Sequence, residues 1–229
     1  MHIDIRYNPA HSLAMVHLQP GESVRAEASA MVSMTSNIDV RTTATHASGK
    51  GLLGGVKRAL VGGESFFQNL YTARSSGAHV NLAPRLCGAM VVHELEPHAD
   101  LFIQGSSYVA SAESVQIDTQ FQGFRGLFSG ESFFFLKVSG RGPVLMNAFG
   151  AIEARELDGE LILDTGHLVA FTAGIEYSIS KAGAGWISSY LSGEGLVLRL
   201  RGRGRLWIQS RNPREFGTLV GRLLPARES

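Results

Sequence analysis

The sequence predicts an all-β fold made of three tandem β repeats, and three observations predict it. Gly63-Glu64-Ser65-Phe66-Phe67 returns as Gly130-Glu131-Ser132-Phe133-Phe134 and, in looser form, as Gly193-Glu194-Gly195-Leu196-Val197. Upstream of it, Ala30-Met31-Val32-Ser33-Met34, Ser107-Tyr108-Val109-Ala110-Ser111 and His167-Leu168-Val169-Ala170-Phe171 stand at one fixed distance before Ile38, Val115 and Ile175. Equal spacing at three places points to one local structure made three times. The third observation is composition: 27 glycines and 18% charged residues, where an average soluble domain carries about 25% charged, suit short strands joined by tight turns.

Taken in order, the first residues alternate apolar and polar, so Ile3 to Tyr7 and Leu13 to Leu18 form an antiparallel pair turning at Asn8-Pro9. Short alternating strands continue from Gly21 to Val40, and the polar stretch from Thr42 to Lys50 reads as a loop. In the insertion that follows, Leu53, Val56 and Leu60 share one helical face between flanking glycines, which predicts a short helix near residues 53–61. Gly49-Lys50-Gly51 lacks the upstream Gly and the following Ser or Thr of a phosphate-binding loop. Each copy then passes a glycine-bearing turn, expected to close a hairpin: Ser75-Ser76-Gly77, Gly140-Arg141-Gly142 and Gly202-Arg203-Gly204. At the end, Asn212 caps, Pro213 takes the first helical position and Glu215 the third, predicting a helix over 213–224. Its stripe of Phe216, Leu219, Val220, Leu223 and Leu224 is expected to dock on its own domain. The chain therefore divides into repeat 1 with its helical insertion (1–88), repeat 2 (89–150), repeat 3 (151–211) and a C-terminal helix and tail (212–229), forming one three-repeat unit.

A formal net charge of +1 excludes a strongly electrostatic partner for the chain as a whole. The charge is uneven, with eight arginines and two glutamates between Arg199 and Ser229. Cys87 is the single cysteine, so no internal disulfide can form. The N-terminus lacks the basic start and apolar core of a secretory signal, and no apolar run reaches the ~20 residues of a membrane-spanning helix. These features predict a soluble, cytoplasmic protein.

The candidate chemistry is sparse. His98, Asp100 and His167 supply the ligand types of a two-histidine, one-carboxylate iron site, but the two residues after Pro97 sit where a hairpin faces solvent. Neither a metal nor a cofactor is expected. Ser65 and Ser132 become Gly195 in the third copy, which argues against a serine nucleophile. The recurring pairs Gly63-Glu64, Gly130-Glu131 and Gly193-Glu194 read as structural corners whose carboxylates accept turn N–H groups. Arg199, Arg201, Arg203 and Arg205 alternate, sharing one strand face opposite Leu198 and Leu200. They are candidates for binding an anion or nucleic acid, with Trp207 offering a stacking surface. The preferred reading is a solvated hairpin whose long side chains protect a sheet edge.

Gly51-Leu52-Leu53-Gly54-Gly55 with Lys57-Arg58, followed by Gly62-Gly63-Glu64-Ser65-Phe66-Phe67, resembles the bacterial branch of the altered-inheritance-of-mitochondria family over essentially the whole chain. The resemblance implies a short double-stranded β-helix, or β-sandwich units, like that of the trp RNA-binding attenuation protein, with internal duplication and homotrimers. Mitochondrial members are associated with inner-membrane organisation, and this N-terminus shows no transit peptide. The expected function is a non-enzymatic, oligomeric scaffold or interaction protein. The alternatives are RNA binding through the Arg199 to Arg205 face and, third, a metal-dependent enzyme.

Overall fold

The computed structural model of the chain describes residues 1–44, 67–118, 135–181 and 196–225. Within them run β1 (His2–Arg6), β2 (Leu13–Leu18), β3 (Ser23–Glu27), β4 (Met31–Met34), β5 (Ile38–Ala44), β6 (Phe67–Ala73), β7 (Ala78–Leu82), β8 (Met90–Leu95) and β9 (Leu101–Gln104). There follow β10 (Tyr108–Ala112), β11 (Val115–Asp118), β12 (Phe135–Gly140), β13 (Gly142–Asn147), β14 (Ile152–Asp164), β15 (Leu168–Thr172), β16 (Ile175–Lys181), β17 (Leu196–Gln209) and the helix α1 (Pro213–Leu223). Among the described residues the fold is thus predominantly β, with one α-helix near the C-terminal end. The expected corners at Gly63, Glu64, Gly130, Glu131, Gly193 and Glu194, and the helix expected near 53–61, lie outside the described residues.

The strands form three sheets, ordered β1-β2-β7-β4, β5-β6-β3-β10-β13-β8 and β11-β12-β9-β15-β17-β14, with β16 also on β17. One pairing pattern recurs in all three. Met31, Tyr108 and Leu168 lie opposite Leu82, Met146 and Ile208. The register then shifts, and Ser33, Ala110 and Ala170 lie opposite Asn81, Leu145 and Trp207. Such a shift adds one residue to one strand and sharpens its bend, so the coincidence holds for a local irregularity as well as for the regular ladder. A second pattern joins successive segments. β3 pairs with β10, Ala26 opposite Ala110, and β9 pairs with β15, Ile103 opposite Ala170.

The expected hairpins at the glycine turns are corrected. β6 pairs with β5 and β3, whereas β7 pairs with β2 and β4. β12 and β13 part company in the same way. At Gly202-Arg203-Gly204 no turn forms, and β17 continues through as one unbroken strand. Gly140, Gly142 and Gly202 hold φ of 111°, 124° and 126°, values open to glycine and strained for other residues. At Gly140 and Gly142 the chain passes from the third sheet to the second, whereas Gly202 lies within β17, which stays in one sheet.

Alternation fills three apolar clusters. Val16, Val24, Tyr71 and Val80 anchor the first, Ile103, Leu136, Val144 and Trp207 the second, and Phe135, Leu168, Phe171 and Leu206 the third. Leu206 and Trp207 are neighbours that enter different clusters, because β17 is covered on both faces there. Side-chain hydrogen bonds to backbone tie distant segments together. The Tyr108 hydroxyl donates to the Arg25 carbonyl at 3.1 Å. The Asn8 side chain bonds both the carbonyl and the N–H of Met90 at 3.2 Å. At α1, Asn212 Oδ1 accepts from the N–H groups of Arg214 and Glu215 at 3.0 and 3.5 Å, the predicted cap.

Candidate functional site

The arginine stripe lies on β17 as the alternation predicts, with Leu198 and Leu200 fully buried on the opposite face. Its strand is not a sheet edge, however, since β17 has β16 on one side and β14 on the other. β14 runs antiparallel with Glu156 opposite Arg205, Asp158 opposite Arg203 and Glu160 opposite Arg201. Directly opposed strand residues have their Cβ atoms ~5 Å apart, so each guanidinium meets a carboxylate. Arg205 Nε reaches Glu156 at 2.6 Å, Arg203 reaches Asp158 at 2.6 Å, and Glu160 takes Arg201 at 2.6 Å and Arg199 at 2.9 Å. On the other side Glu176 stands opposite Arg201. Exposed pairs like these contribute about 0–1 kcal/mol each, but they cancel the local charge that a phosphate backbone would read.

Trp207 offers no stacking surface. It is 3% exposed, packed in the second cluster with the ring of His93 edge-on at 5.0 Å. Burial, with the nearby positive charge of Arg205, holds the His93 imidazole below its ordinary range. A depressed folded-state value means that, below about 6.5, the unfolded chain takes up a proton that the folded chain refuses. The stabilisation is complete above that value and is lost as the pH falls toward the folded one. We expect the urea midpoint to fall between pH 7.5 and 5.5 by a larger amount in the parent than in His93→Phe, which keeps a ring on Trp207. Equal falls in both would remove His93 from the acid response.

The residues of the candidate iron site are separately engaged. Asp100 pairs with Lys137 at 2.9 Å, His167 Nδ1 bonds the Gln209 carbonyl at 2.7 Å, and His98 holds a turn at φ 67°. Among the described residues, no three His, Cys, Asp or Glu side chains gather as a metal would need. Cys87 is exposed, beside a shallow depression that His11, Ser12 and Arg85 also line.

Two apolar surfaces stand where the sequence did not place them. All four residues of β4 are exposed, Met31 at 41%, Val32 at 58% and Met34 at 39%. The stripe of α1 is undocked: Phe216 is 45% exposed, Leu219 60% and Leu223 79%, with no residue of the helix buried. Phe216 touches Phe149 at 5.2 Å between ring centres, and Asn212 Nδ2 donates to Asp164 at 3.1 Å. The helix is therefore fixed at its start and open along its apolar face. No helix among the described residues is long and apolar enough to cross a membrane.

Residues 3–211 match the family described as Mitochondrial biogenesis AIM24. The chain is similar to an uncharacterised protein of Streptococcus pyogenes, with 32% identity over 222 residues covering 93% of this chain and 87% of that protein. It is also similar to a Streptococcus pyogenes protein known from an X-ray crystal structure, with 30% identity and a TM-score of 0.76 over 97% of this chain and 99% of the other.

Proposed function

The chain belongs to the mitochondrial biogenesis AIM24 family, and from that premise we propose that it is a non-enzymatic scaffold or interaction protein that works as a homo-oligomer. The observation that carries this reading is the gathering of exposed large apolar side chains on two elements, β4 and α1. Contiguous exposed apolar surface of this kind marks protein–protein contact. The chemistry-bearing side chains support it from the other direction, since the arginines, Asp100 and His167 all hold partners of their own fold.

The scaffold is read as three fused copies of one β unit, residues 1–88, 89–150 and 151–211, followed by the helix and tail 212–229. The recurring register, with its shift at the same place in each ladder, supports duplication. The TRAP-like double-stranded β-helix, the trimer and the cytoplasmic location belong to the same proposal. RNA binding through Arg199 to Arg205 is the alternative, and the carboxylates of β14 weigh against it.

Light scattering of the purified protein at micromolar concentration tests the assembly. The expected result is a particle of a whole-number multiple of 24.6 kDa, three in the favoured case; a single-chain mass overturns the oligomeric reading. Titration with labelled single-stranded RNA separates the alternative. Binding that weakens steeply with salt, and again in Arg201→Ala and Arg203→Ala, would favour RNA over the scaffold.

A further inference from the structure

We propose that a second copy of this chain pairs, strand against strand, with the outer edge of β14, using its own β4. The inference rests on reading the chain as three fused copies of one unit, and it goes on to specify the contact between chains. Inside the chain, one joint is made twice. β3 takes β10 with Val24, Arg25 and Ala26 opposite Ala112, Ser111 and Ala110. β9 takes β15 with Leu101, Phe102 and Ile103 opposite Thr172, Phe171 and Ala170. In each unit the first partner is the strand that pairs on its other side with β6 or β12, and residues 160–164 of β14 hold that position against residues 197–201 of β17. The second partner is the strand carrying the register shift, and in the first unit that strand is β4. The third joint thus has both of its halves in the chain, and among the described residues neither half has a strand on its outer side.

Burial records the same vacancy. Tyr108, Val109, Ala110 and Ser111 of β10 and Leu168, Val169, Ala170 and Phe171 of β15 are all buried, whereas every residue of β4 is exposed. On the other half, Val24, Ala26, Leu101 and Ile103 are fully buried, while Leu161 and Leu163 are half-exposed and Ile162 is 42% exposed. Natural edges are blunted by charge, proline or a bulge. β4 carries no charge and no proline, and its register shift is the one that β10 and β15 carry while pairing.

Carrying the internal register over places Ser33 opposite Leu163, Met34 opposite Ile162 and Thr35 opposite Leu161 of the next copy. A ladder of three residues is small beside the ~800 Å² per partner of a stable interface. The undocked stripe of α1 starts at the end of this edge, through Asn212 on Asp164, and adds apolar area to it. The two halves differ, so the contact is head-to-tail and each copy keeps one half free for the next, giving a ring where the rotation closes.

The test mixes two proteins, both Cys87→Ser, one carrying Met34→Cys and the other Ile162→Cys, under mild oxidation. A covalent pair that forms only in the mixture, and not when Glu153→Cys replaces Ile162→Cys, is expected. Ile162→Lys should weaken self-association roughly tenfold or more, since a charge must then be buried against an apolar strand. Two results overturn the joint alone: a wild-type oligomer that gives no 34–162 cross-link, or a double variant that closes the disulfide within one chain. A monomeric wild type removes the scaffold reading together with the joint.

Discussion

Phe171→Ala is expected to lower the unfolding free energy by about 3–5 kcal/mol, the range for emptying a buried aromatic site. Phe171 is 1% exposed and sits among three other rings. Phe102 stacks on it at 5.1 Å with 15° between planes, Phe135 meets it edge-on at 5.2 Å, and Tyr177 stands at 5.6 Å. These rings come from β9, β12 and β16, so the cluster ties the second segment of the chain to the third along the β9–β15 joint. Truncation removes three ring contacts at once and leaves a cavity walled in part by β9, β12 and β15, which pair on both sides and resist collapse. Against a total stability of about 5–15 kcal/mol, this is among the largest single losses open to the molecule. Phe171→Leu keeps most of the volume and should cost about half as much or less. Urea unfolding at unchanged m-value checks both, and an alanine loss below about 1.5 kcal/mol would mean that the rings close over the gap.

The all-β class, the first strand pair about Asn8-Pro9 and the C-terminal helix were legible in the sequence, because each is written in local signals: alternation, a turn dipeptide, a cap. The structure keeps them as β1, β2 and α1. What local signals could not carry was partnership. Gly140-Arg141-Gly142 announces a change of direction, yet whether the next strand folds back on the last or crosses to another sheet depends on residues far away. The arginine stripe is a second case, and here a signal existed. Glu156, Asp158 and Glu160 alternate in step with Arg205, Arg203 and Arg201, two complementary charge runs about 45 residues apart that only a search for matched spacing would join. Periodicity likewise shows that α1 has an apolar face and is silent about what the face meets. Trp207 escaped a parity argument because its strand is covered on both faces, so that adjacent residues enter different cores.

Gly202→Ala is expected to cost about 2–6 kcal/mol, from two sources that act on the same added methyl. The residue holds φ at 126°, where an L side chain stores about 1–3 kcal/mol of backbone strain. Its Cβ would also lie 2.2 Å from the carbonyl oxygen of Gly174, a backbone atom fixed where β16 enters its ladder with β17, Ile175 lying opposite Gly202. Forcing that contact apart adds an overpacking cost of about 1–3 kcal/mol. Gly140 has the same two features, φ 111° and a Ser114 carbonyl 2.5 Å from the built Cβ. In the first segment the residue opposite Ile38 is Ala73, because there the positive φ is taken up later, by Gly77 at 77°. The control is the identical change at Gly217 in α1, where a Cβ meets nothing within 4 Å. Relief of helical glycine should make that variant neutral or more stable by up to about 1 kcal/mol. For a chain of this size each kcal/mol moves Tm by roughly 2–4 °C, so the two alanines should shift Tm in opposite senses, Gly202→Ala downward by at least about 4 °C. A Gly202→Ala protein that melts with the parent would show that β17 does not need glycine where it meets the start of β16.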